Sequence, residues 1–252
     1  MPWSTLEDPT SALVIGARGG IGEAFVQSLS DAELVTRVYA TSRDKAWCDA
    51  GDEREGVHRV DLDLTQEASL EGLVKRLKEA GESPSLILNC SGLLHEGELG
   101  PERTWRELDA AHLSKVFAVN AIGPALAIKH LVPLMPRKSP ALFATLSARV
   151  GSIGDNRLGG WYGYRASKAA QNMIVKTASI EASHRYPRLI ITALHPGTVA
   201  SDLSAPFTKR LRAKHVVFSP LESAQHLEKV MSSLKPSDSG GFFAWDGAAI
   251  PW

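Results

Sequence analysis

The sequence predicts an α/β fold, a single doubly wound domain built on a mostly parallel seven-stranded sheet. Short apolar runs alternate along the chain with amphipathic stretches of helical period. The apolar runs are continuously hydrophobic rather than alternating, which is typical of parallel strands buried on both faces. The 252 residues contain no internal repeat and no linker-like break, so we expect one domain over 1–252.

Seven apolar runs are predicted as strands, over 11–16, 37–42, 56–62, 85–90, 141–147, 189–195 and 240–245. Helices are predicted over 21–30, 67–81, 104–131, 163–184 and 219–234. The third helix should end before Pro133 and Pro136. The last opens with Ser219, Pro220 and Glu222, the serine cap, first-turn proline and glutamate of a capping box.

The composition argues against several classes of function. Lys plus Arg (28) equals Asp plus Glu (28), so no general attraction to nucleic acid or to an anionic membrane is expected. Cys48, Cys90 and the scattered histidines make no metal spacing and no disulfide framework, so no metal is predicted. The first residues lack the pattern of a signal peptide, and no apolar run approaches the roughly 20 residues of a membrane span. We expect a cytoplasmic protein that acts on a small molecule.

A glycine-rich loop, IGARGGIG at 15–22, joins the first predicted strand to the first helix. Gly16, Gly20 and Gly22 let the backbone turn sharply and approach a pyrophosphate, whose charge meets the helix N-terminus, as in a Rossmann domain. Ile21 completes this loop. The alternative is a glycine-rich turn with no ligand. A P-loop is excluded because no G-K-[ST] follows.

The end of the second strand indicates which dinucleotide is bound. An acidic residue there would bind the ribose 2′-hydroxyl of NAD, but this chain has Ser42 and Arg43. A hydroxyl and a guanidinium suit a 2′-phosphate, and Arg18 in the glycine loop adds a second cation. NADP(H) is therefore expected in preference to NAD(H). The alternative is that Asp44 pairs with Arg43 and both are simply surface residues.

Tyr164 and Lys168 are four residues apart on a predicted helix and so share a face. A phenol is a weak acid, and a nearby ammonium should lower its pKa. Tyr164 would then donate a proton to a carbonyl oxygen, or accept one in the reverse reaction. The alternative is a buried tyrosine beside a lysine that reaches to solvent. Tyr162 is a rival phenol without a lysine four residues on.

Several motifs in order give the sequence a family resemblance. They are the glycine loop, DLDL at 61–64, NCSG at 89–92, Asn120, Ser147, Tyr164 with Lys168, and HPGTV at 195–199. Together they resemble the short-chain dehydrogenase/reductase family along nearly the whole chain. The segments 146–170 and 240–252 are most similar to its C-factor-like subgroup.

The resemblance implies roles for four catalytic residues. Tyr164 is the acid and base, Lys168 tunes it, Ser147 orients the substrate carbonyl, and Asn120 holds a water that links Lys168 to solvent. The family usually has two serines before x-x-G, the second of them catalytic, but here Ala148 fills the second position. Ser147 is therefore the favoured residue for this role, with Ser152 as the alternative.

The resemblance also implies cofactor contacts. Asp63 and Leu64 would lie near the adenine. The backbone around Asn89, Ser91 and Gly92 would meet the cofactor, and the nicotinamide end would be lined by Pro196, Gly197 and Val199. The segment near 200–218 is polar, basic and interrupts the strand–helix rhythm, which indicates a mobile substrate lid or, alternatively, a plain surface loop.

The sequence thus predicts an NADPH-dependent oxidoreductase that reduces an aldehyde or ketone reversibly. The resemblance implies a homodimer or homotetramer built on the two long helices. The rival hypothesis is a nucleotide-binding, C-factor-like signalling protein with little or no turnover. The complete set of Asn120, Ser147, Tyr164 and Lys168 argues against it, because a pure binding protein needs no proton relay.

Overall fold

The fold is described by a computed structural model that covers residues 9–97, 99–208 and 216–252. Its strands are β1 (Thr10–Ile15), β2 (Val35–Ser42), β3 (Val57–Asp61), β4 (Leu86–Asn89), β5 (Ala141–Leu146), β6 (Leu189–His195), β7 (Thr198–Val199), β8 (Val217–Phe218) and β9 (Phe242–Ala244). Seven of them form one sheet in the order β3-β2-β1-β4-β5-β6-β9, and every pairing in it is parallel. The predicted seven-stranded parallel sheet is confirmed.

The helices are α1 (Gly20–Ser30), α2 (Lys45–Asp49), α3 (Glu67–Glu79), α4 (Ala110–Phe117), α5 (Gly123–Leu131), α6 (Tyr162–Ser183), α7 (Ala205–Thr208) and α8 (Pro220–Ser233). They cover both faces of the sheet. On one face α3, α5 and α6 bury residues such as Leu70, Leu131 and Val175. On the other, α1 and α8 bury Phe25 and Leu227. This two-sided burial explains the continuously apolar strands and confirms the doubly wound fold.

The single helix predicted over 104–131 is wrong. A 3-10 turn (Trp105–Glu107) precedes α4, a π-helical turn (Ala118–Ile122) separates α4 from α5, and a 3-10 turn (Val132–Leu134) follows. Pro124 has no backbone N–H to donate to the carbonyl four residues back, which favours the wider turn. The π turn carries Asn120, one of the candidate catalytic residues.

The helical stretch Ala110–Leu134 is long and apolar enough to cross a membrane by length and composition, and 44% of its most apolar 18-residue window is buried in the fold. A core helix passes the same test. Here the stretch packs through α4 and α5 against α3 and α6, as a core helix does.

The short elements α2, α7 and the β7–β8 pair were not predicted, because two to five residues give no readable periodicity. The β7–β8 pair is parallel and closes the base of the predicted lid. Residues 209–215 of that segment lie outside the described residues, so the lid stays a prediction.

Candidate active site

The glycine loop follows β1, the strand at which the strand order of the parallel sheet reverses, with β2 on one side of it and β4 on the other. Gly16 has φ +77°, and a Cβ there would lie 3.1 Å from the Ser91 backbone nitrogen. A Cβ on Gly22 would lie 2.3 Å from the Gly16 carbonyl oxygen. Both positions therefore require glycine, one for its conformation and one for the close approach of helix and loop.

The N-terminus of α1 fits a diphosphate. Its N-cap is Gly19, which has no side chain to satisfy the first backbone N–H groups of the helix. Arg18, Gly19 and Gly20 are exposed, whereas Ile21 is half-buried and packs on the core. Exposed amide groups at the positive end of a helix dipole form a site for an anion.

Arg18 in the glycine loop and Arg43 after the end of β2 are the two candidate cations, and each has a carboxylate partner. Arg18 Nε lies 3.1 Å from Asp44 Oδ2, and Arg43 Nη2 lies 3.3 Å from Glu96 Oε1. Asp44 therefore pairs with Arg18, not with Arg43. Both arginine side chains are more than 60% exposed. Such exposed pairs are weak, so both guanidinium groups can still serve an anionic ligand.

Ser42, at the end of the same strand, is buried, and its Oγ accepts a hydrogen bond from Asp44 N at 3.1 Å. Asp63 and Leu64 follow the neighbouring strand β3. The carboxylate of Asp63 accepts hydrogen bonds from the backbone and hydroxyl of Thr65, at 2.9 and 2.7 Å. Leu64 is buried against Gly123. These contacts fix the turn after β3 at the carboxyl edge.

Asn89 ends β4 and is fully buried. Its Nδ2 donates to Thr145 Oγ1 at 3.0 Å, and its Oδ1 accepts from the backbone and hydroxyl of Ser91. The side chain therefore ties β4 to β5 and shapes the loop that leads to Gly92.

Tyr164 and Lys168 lie on the same face of α6, near its N-terminus, with Lys168 Nζ 5.9 Å from the centre of the Tyr164 ring. Both side chains are buried. Burial raises the pKa of the Tyr164 phenol to about 12 and lowers the pKa of the Lys168 ammonium to about 7. The expected lowering of the phenol pKa is therefore wrong in sign, because burial of the phenol disfavours its charged form.

Asn120 and Gly92 lie beside the lysine. A Cβ built on Gly92 would be 3.7 Å from Lys168 Nζ and 3.8 Å from Asn120 Oδ1. Asn120 accepts a hydrogen bond from Leu93 N at 2.7 Å and donates to Leu93 O at 2.8 Å and to Ser167 Oγ at 3.1 Å. The π turn thus holds the loop after β4 against α6.

The two candidate serines are both buried, and they differ in their hydrogen bonds. Ser147 donates its hydroxyl proton to Asn172 Oδ1 at 2.7 Å. Ser152 Oγ accepts from Asp155 N at 3.1 Å. Gly151, which precedes Ser152, packs on Lys168: a Cβ there would be 2.8 Å from the Cβ of that lysine. Ser152 is therefore next to a residue that packs against α6 at Lys168.

The loop after β6 holds the predicted nicotinamide-end residues. Pro196 O accepts a hydrogen bond from Ser223 Oγ at 2.8 Å, Gly197 has φ +80°, and Val199 is buried in β7. A Cβ on Gly197 would lie 2.8 Å from the Phe218 ring. Phe218 in turn packs on Trp245, with ring centres 4.7 Å apart.

Sequence reasoning missed Glu102, a buried carboxylate from the loop after β4. Its Oε2 accepts a hydrogen bond from Gly163 N at 3.0 Å, in the first turn of α6, and its backbone oxygen accepts from Trp161 N. Glu102 therefore caps the helix that carries Tyr164. Its partners lie about sixty positions away along the chain, so no local sequence signal points to this role.

Within the described residues, one group of potential metal ligands forms, consisting of Glu67, Glu71 and His130 on α3 and α5. Glu67 is already paired, with its Oε1 2.7 Å from His130 Nε2 and a further contact to Lys129. These ion pairs account for the grouping without an ion. The group lies apart from Tyr164 and Lys168, on α3 and α5 rather than on α6.

Comparison with known proteins decides the family. A sequence profile described as short chain dehydrogenase matches residues 10–212. The chain belongs to the short-chain dehydrogenase family. As a member of this family it is an NAD(P)-dependent oxidoreductase, and the predicted resemblance is confirmed.

Relatives of this short-chain dehydrogenase include an enzyme of Rhodococcus sp. (strain AD45), 1-hydroxy-2-glutathionyl-2-methyl-3-butene dehydrogenase. It is 31% identical over 245 residues, which cover 96% of this chain and 100% of that protein. C-signal of Myxococcus xanthus is 31% identical over 146 residues, which cover 58% of this chain and 82% of C-signal. The similarity to C-signal supports the predicted subgroup.

Among solved structures, the NADPH-bound carbonyl reductase from chicken fatty liver is similar to this short-chain dehydrogenase. The TM-score is 0.85 at 28% sequence identity, and the match covers 98% of this chain and 96% of that one. The carbonyl reductase Sniffer of D. melanogaster, at 22% identity and TM-score 0.82, shares the fold.

Proposed function

We propose that this protein reduces the carbonyl group of an aldehyde or ketone to an alcohol with NADPH, and that it also catalyses the reverse reaction. The observation that carries the proposal is the buried pair of Tyr164 and Lys168, on one face of α6 and next to Asn120 and Gly92. Relatives described as a dehydrogenase and as an NADPH-bound carbonyl reductase support it.

The bound dinucleotide would supply a hydride to the carbonyl carbon. The chain must then supply a proton to the carbonyl oxygen, because reduction to an alcohol adds one hydride and one proton. Tyr164 is the proposed donor. Its raised pKa, about 12 through burial, keeps the phenol protonated at neutral pH, which is the form that reduction needs.

Lys168 is proposed to stabilise the phenolate that remains after this transfer. A buried ammonium a short distance from a new negative charge acts in a low dielectric, where its effect is strongest. Asn120 fixes the π turn beside the amine, and a water held there would carry protons between Lys168 and solvent.

NADP(H) is the proposed cofactor because two exposed guanidinium groups are available, Arg18 in the glycine loop and Arg43 after the end of β2. A 2′-phosphate offers these two arginines a better partner than an exposed carboxylate, since it carries more negative charge and has three acceptor oxygens that two guanidinium groups can share. The remaining cofactor contacts are proposed at the glycine loop, at Asp63 and Leu64, at 89–92, and at 196–199.

The serine proposed to orient the substrate carbonyl must have a hydroxyl proton that is not already donated to another residue. A hydroxyl has one O–H donor, and Ser147 already gives it to Asn172. Ser152 is an acceptor in its hydrogen bond to Asp155 N, so its proton is available for a carbonyl oxygen. The family resemblance of the motif favours Ser147, whereas the available hydroxyl proton favours Ser152.

A homo-oligomer built on α4, α5 and α6 remains part of the proposal. Ile122, Met173 and Ile180 are each more than half exposed on these helices and on the π turn between them, which supports a contact between copies. The cytoplasmic location stays a prediction from the sequence.

The similarity to C-signal favours one rival, a signalling protein that binds a nucleotide with little turnover. A single assay distinguishes carbonyl reduction from nucleotide binding without turnover. Purified protein is mixed with NADPH or NADH and a panel of small and bulky aldehydes and ketones, and cofactor oxidation is followed. The proposal expects oxidation of NADPH with at least one carbonyl. NADPH binding with no oxidation across the panel would favour the signalling protein.

A further inference from the structure

Gln171 is a buried amide on α6, three residues after Lys168, and sequence analysis assigned it no role. We propose that Gln171 is a positioning residue that holds the Lys168 amine in its protonated form and fixes its direction. The inference rests on the proposed function, in which Lys168 serves Tyr164.

The contact is direct. Lys168 Nζ donates to Gln171 Oε1 at 2.9 Å and to the Leu146 carbonyl oxygen at 2.8 Å. An ammonium has three N–H donors, so two acceptors leave one N–H for the rest of the site. The two acceptors also set the direction of that remaining donor. A neutral amine could also donate to both oxygens, but the hydrogen bonds of an ammonium are charge-assisted and stronger, so the two acceptors favour the charged form.

The orientation of the Gln171 amide is itself fixed. Its Nε2 donates to Thr145 Oγ1 and, at 3.3 Å, to the Leu146 carbonyl oxygen. Thr145 Oγ1 also accepts from Asn89 Nδ2. Rotating the amide by half a turn would point its N–H groups at the ammonium and its oxygen at the Leu146 carbonyl. The hydrogen bonds to Thr145 and Leu146, at the end of β5, therefore orient the Gln171 amide so that its oxygen faces Lys168.

Burial opposes the charge of this lysine, lowering its pKa to about 7. Among the described residues, Tyr164 is the titratable group whose ring faces the amine. Arg149 and Arg165 lie on elements packed around it, but their guanidinium groups bind Asp155 and the backbone oxygens of 150, 159 and 160. The oxygen atoms of Gln171 and Leu146 are thus the acceptors that stabilise the ammonium and partly offset the cost of burying its charge.

The test is a titration of Lys168 in the protein without substrate. Lysine labelled with ¹³C at Cε is followed by NMR over pH, and the Lys168 signal is assigned by its loss in Lys168→Met. We expect Gln171→Leu, which removes the acceptor, to lower the midpoint by about one pH unit. Gln171→Glu keeps the shape and adds a negative charge, so it should raise the midpoint.

The matched control is Ser179→Ala, which removes the hydrogen bond that another buried polar side chain of α6 makes to Lys176 O, away from Lys168. It should leave the midpoint unchanged. Unchanged midpoints in both Gln171 variants would overturn the inference, as would shifts in the same direction. If Gln171→Leu fails to fold, the direction seen with the Glu variant decides alone.

The titration does not require turnover, so the inference and the proposed function fail separately. Where carbonyl reduction is measurable, the basic limb of the pH profile of kcat should move to lower pH in Gln171→Leu and to higher pH in Gln171→Glu. If the wild-type protein shows no turnover, the proposed function is contradicted. The inference about Gln171 would still hold if the Lys168 midpoints of the two Gln171 variants differ from the wild-type midpoint as expected.

Discussion

Lys168 Nζ lies 5.9 Å from the centre of the Tyr164 ring on one buried face of α6. Burial moves the two pKa values in opposite directions, to about 12 for the phenol and to about 7 for the ammonium. Each shift favours the uncharged form. The pair therefore enters the reaction as a protonated phenol beside an amine that titrates near neutral pH.

The first prediction concerns stability and pH. Lys168 binds its proton more weakly in the folded protein, with a pKa of about 7, than in the unfolded chain, where it is near 10.5. Between these values the unfolded chain holds more protons, so wild-type stability gains up to about 1.4 kcal/mol per pH unit from this group as pH rises. Below pH 7 the full cost of the buried charge remains. The stability of Lys168→Met relative to wild type should therefore be highest at pH 6 and fall progressively towards pH 9.

Denaturant unfolding at several pH values measures this difference. The matched control is Lys176→Met, an exposed lysine on the same helix, whose effect should not vary with pH. A Lys168→Met advantage that is constant with pH would contradict the prediction.

The second prediction separates the two serines. Ser152→Ala should lower kcat about 100-fold, the effect of losing one hydrogen-bond donor to a developing oxyanion, and leave stability nearly unchanged. Ser147→Ala should leave Asn172 Oδ1 buried without its donor and cost roughly 1–3 kcal/mol of unfolding free energy, with turnover retained. Steady-state kinetics and denaturant unfolding of both variants test these expectations. A larger loss of kcat in Ser147→Ala than in Ser152→Ala would assign the role to Ser147.

The third prediction concerns cofactor choice. Arg43→Ala should raise the Michaelis constant for NADPH about 10-fold and hardly change that for NADH, because only NADPH carries the 2′-phosphate. Arg37→Ala is the matched control, since this arginine pairs with Glu82 near the other end of the same strand. An equal change for both cofactors in Arg43→Ala would contradict an interaction with the phosphate.

The fourth prediction concerns the cap on the catalytic helix. Glu102→Ala leaves Gly163 N–H without its acceptor and should cost roughly 1–3 kcal/mol of unfolding free energy. Turnover should fall with it, because this turn carries Tyr164. Glu102→Gln keeps an acceptor oxygen and removes a buried charge, so it should restore most of both. Equal losses in the two variants would show that the hydrogen bond to Gly163 is not what matters.

Local pattern was enough to predict most of the fold. The strand over 189–195 has the predicted bounds, because a continuous apolar run bounded by turn residues is a local property. The break between α4 and α5 was not predicted. The residues on both sides of the break favour a helix, so local propensity predicts one continuous helix there. The π turn depends on Pro124 together with a contact between Asn120 and Leu93, which is distant in sequence.

The candidate site divides in the same way. The spacing of Tyr164 and Lys168 predicted that they share a face, since four residues make about one helical turn. The direction of the phenol pKa could not be predicted, because burial belongs to the assembled fold. Glu102 likewise acts across a long sequence separation, whereas Gln171, three residues from Lys168, is within reach of a helical-spacing argument.

Turnover of Tyr164→Phe tests the central claim, that Tyr164 supplies the proton, most directly. Rates of NADPH oxidation with an accepted carbonyl are compared for wild type, Tyr164→Phe and Tyr162→Phe, a neighbouring phenol on the same helix. The account predicts a loss of at least about 100-fold in Tyr164→Phe, with NADPH binding retained, and a nearly unchanged rate in Tyr162→Phe. Equal rates in Tyr164→Phe and wild type would contradict it.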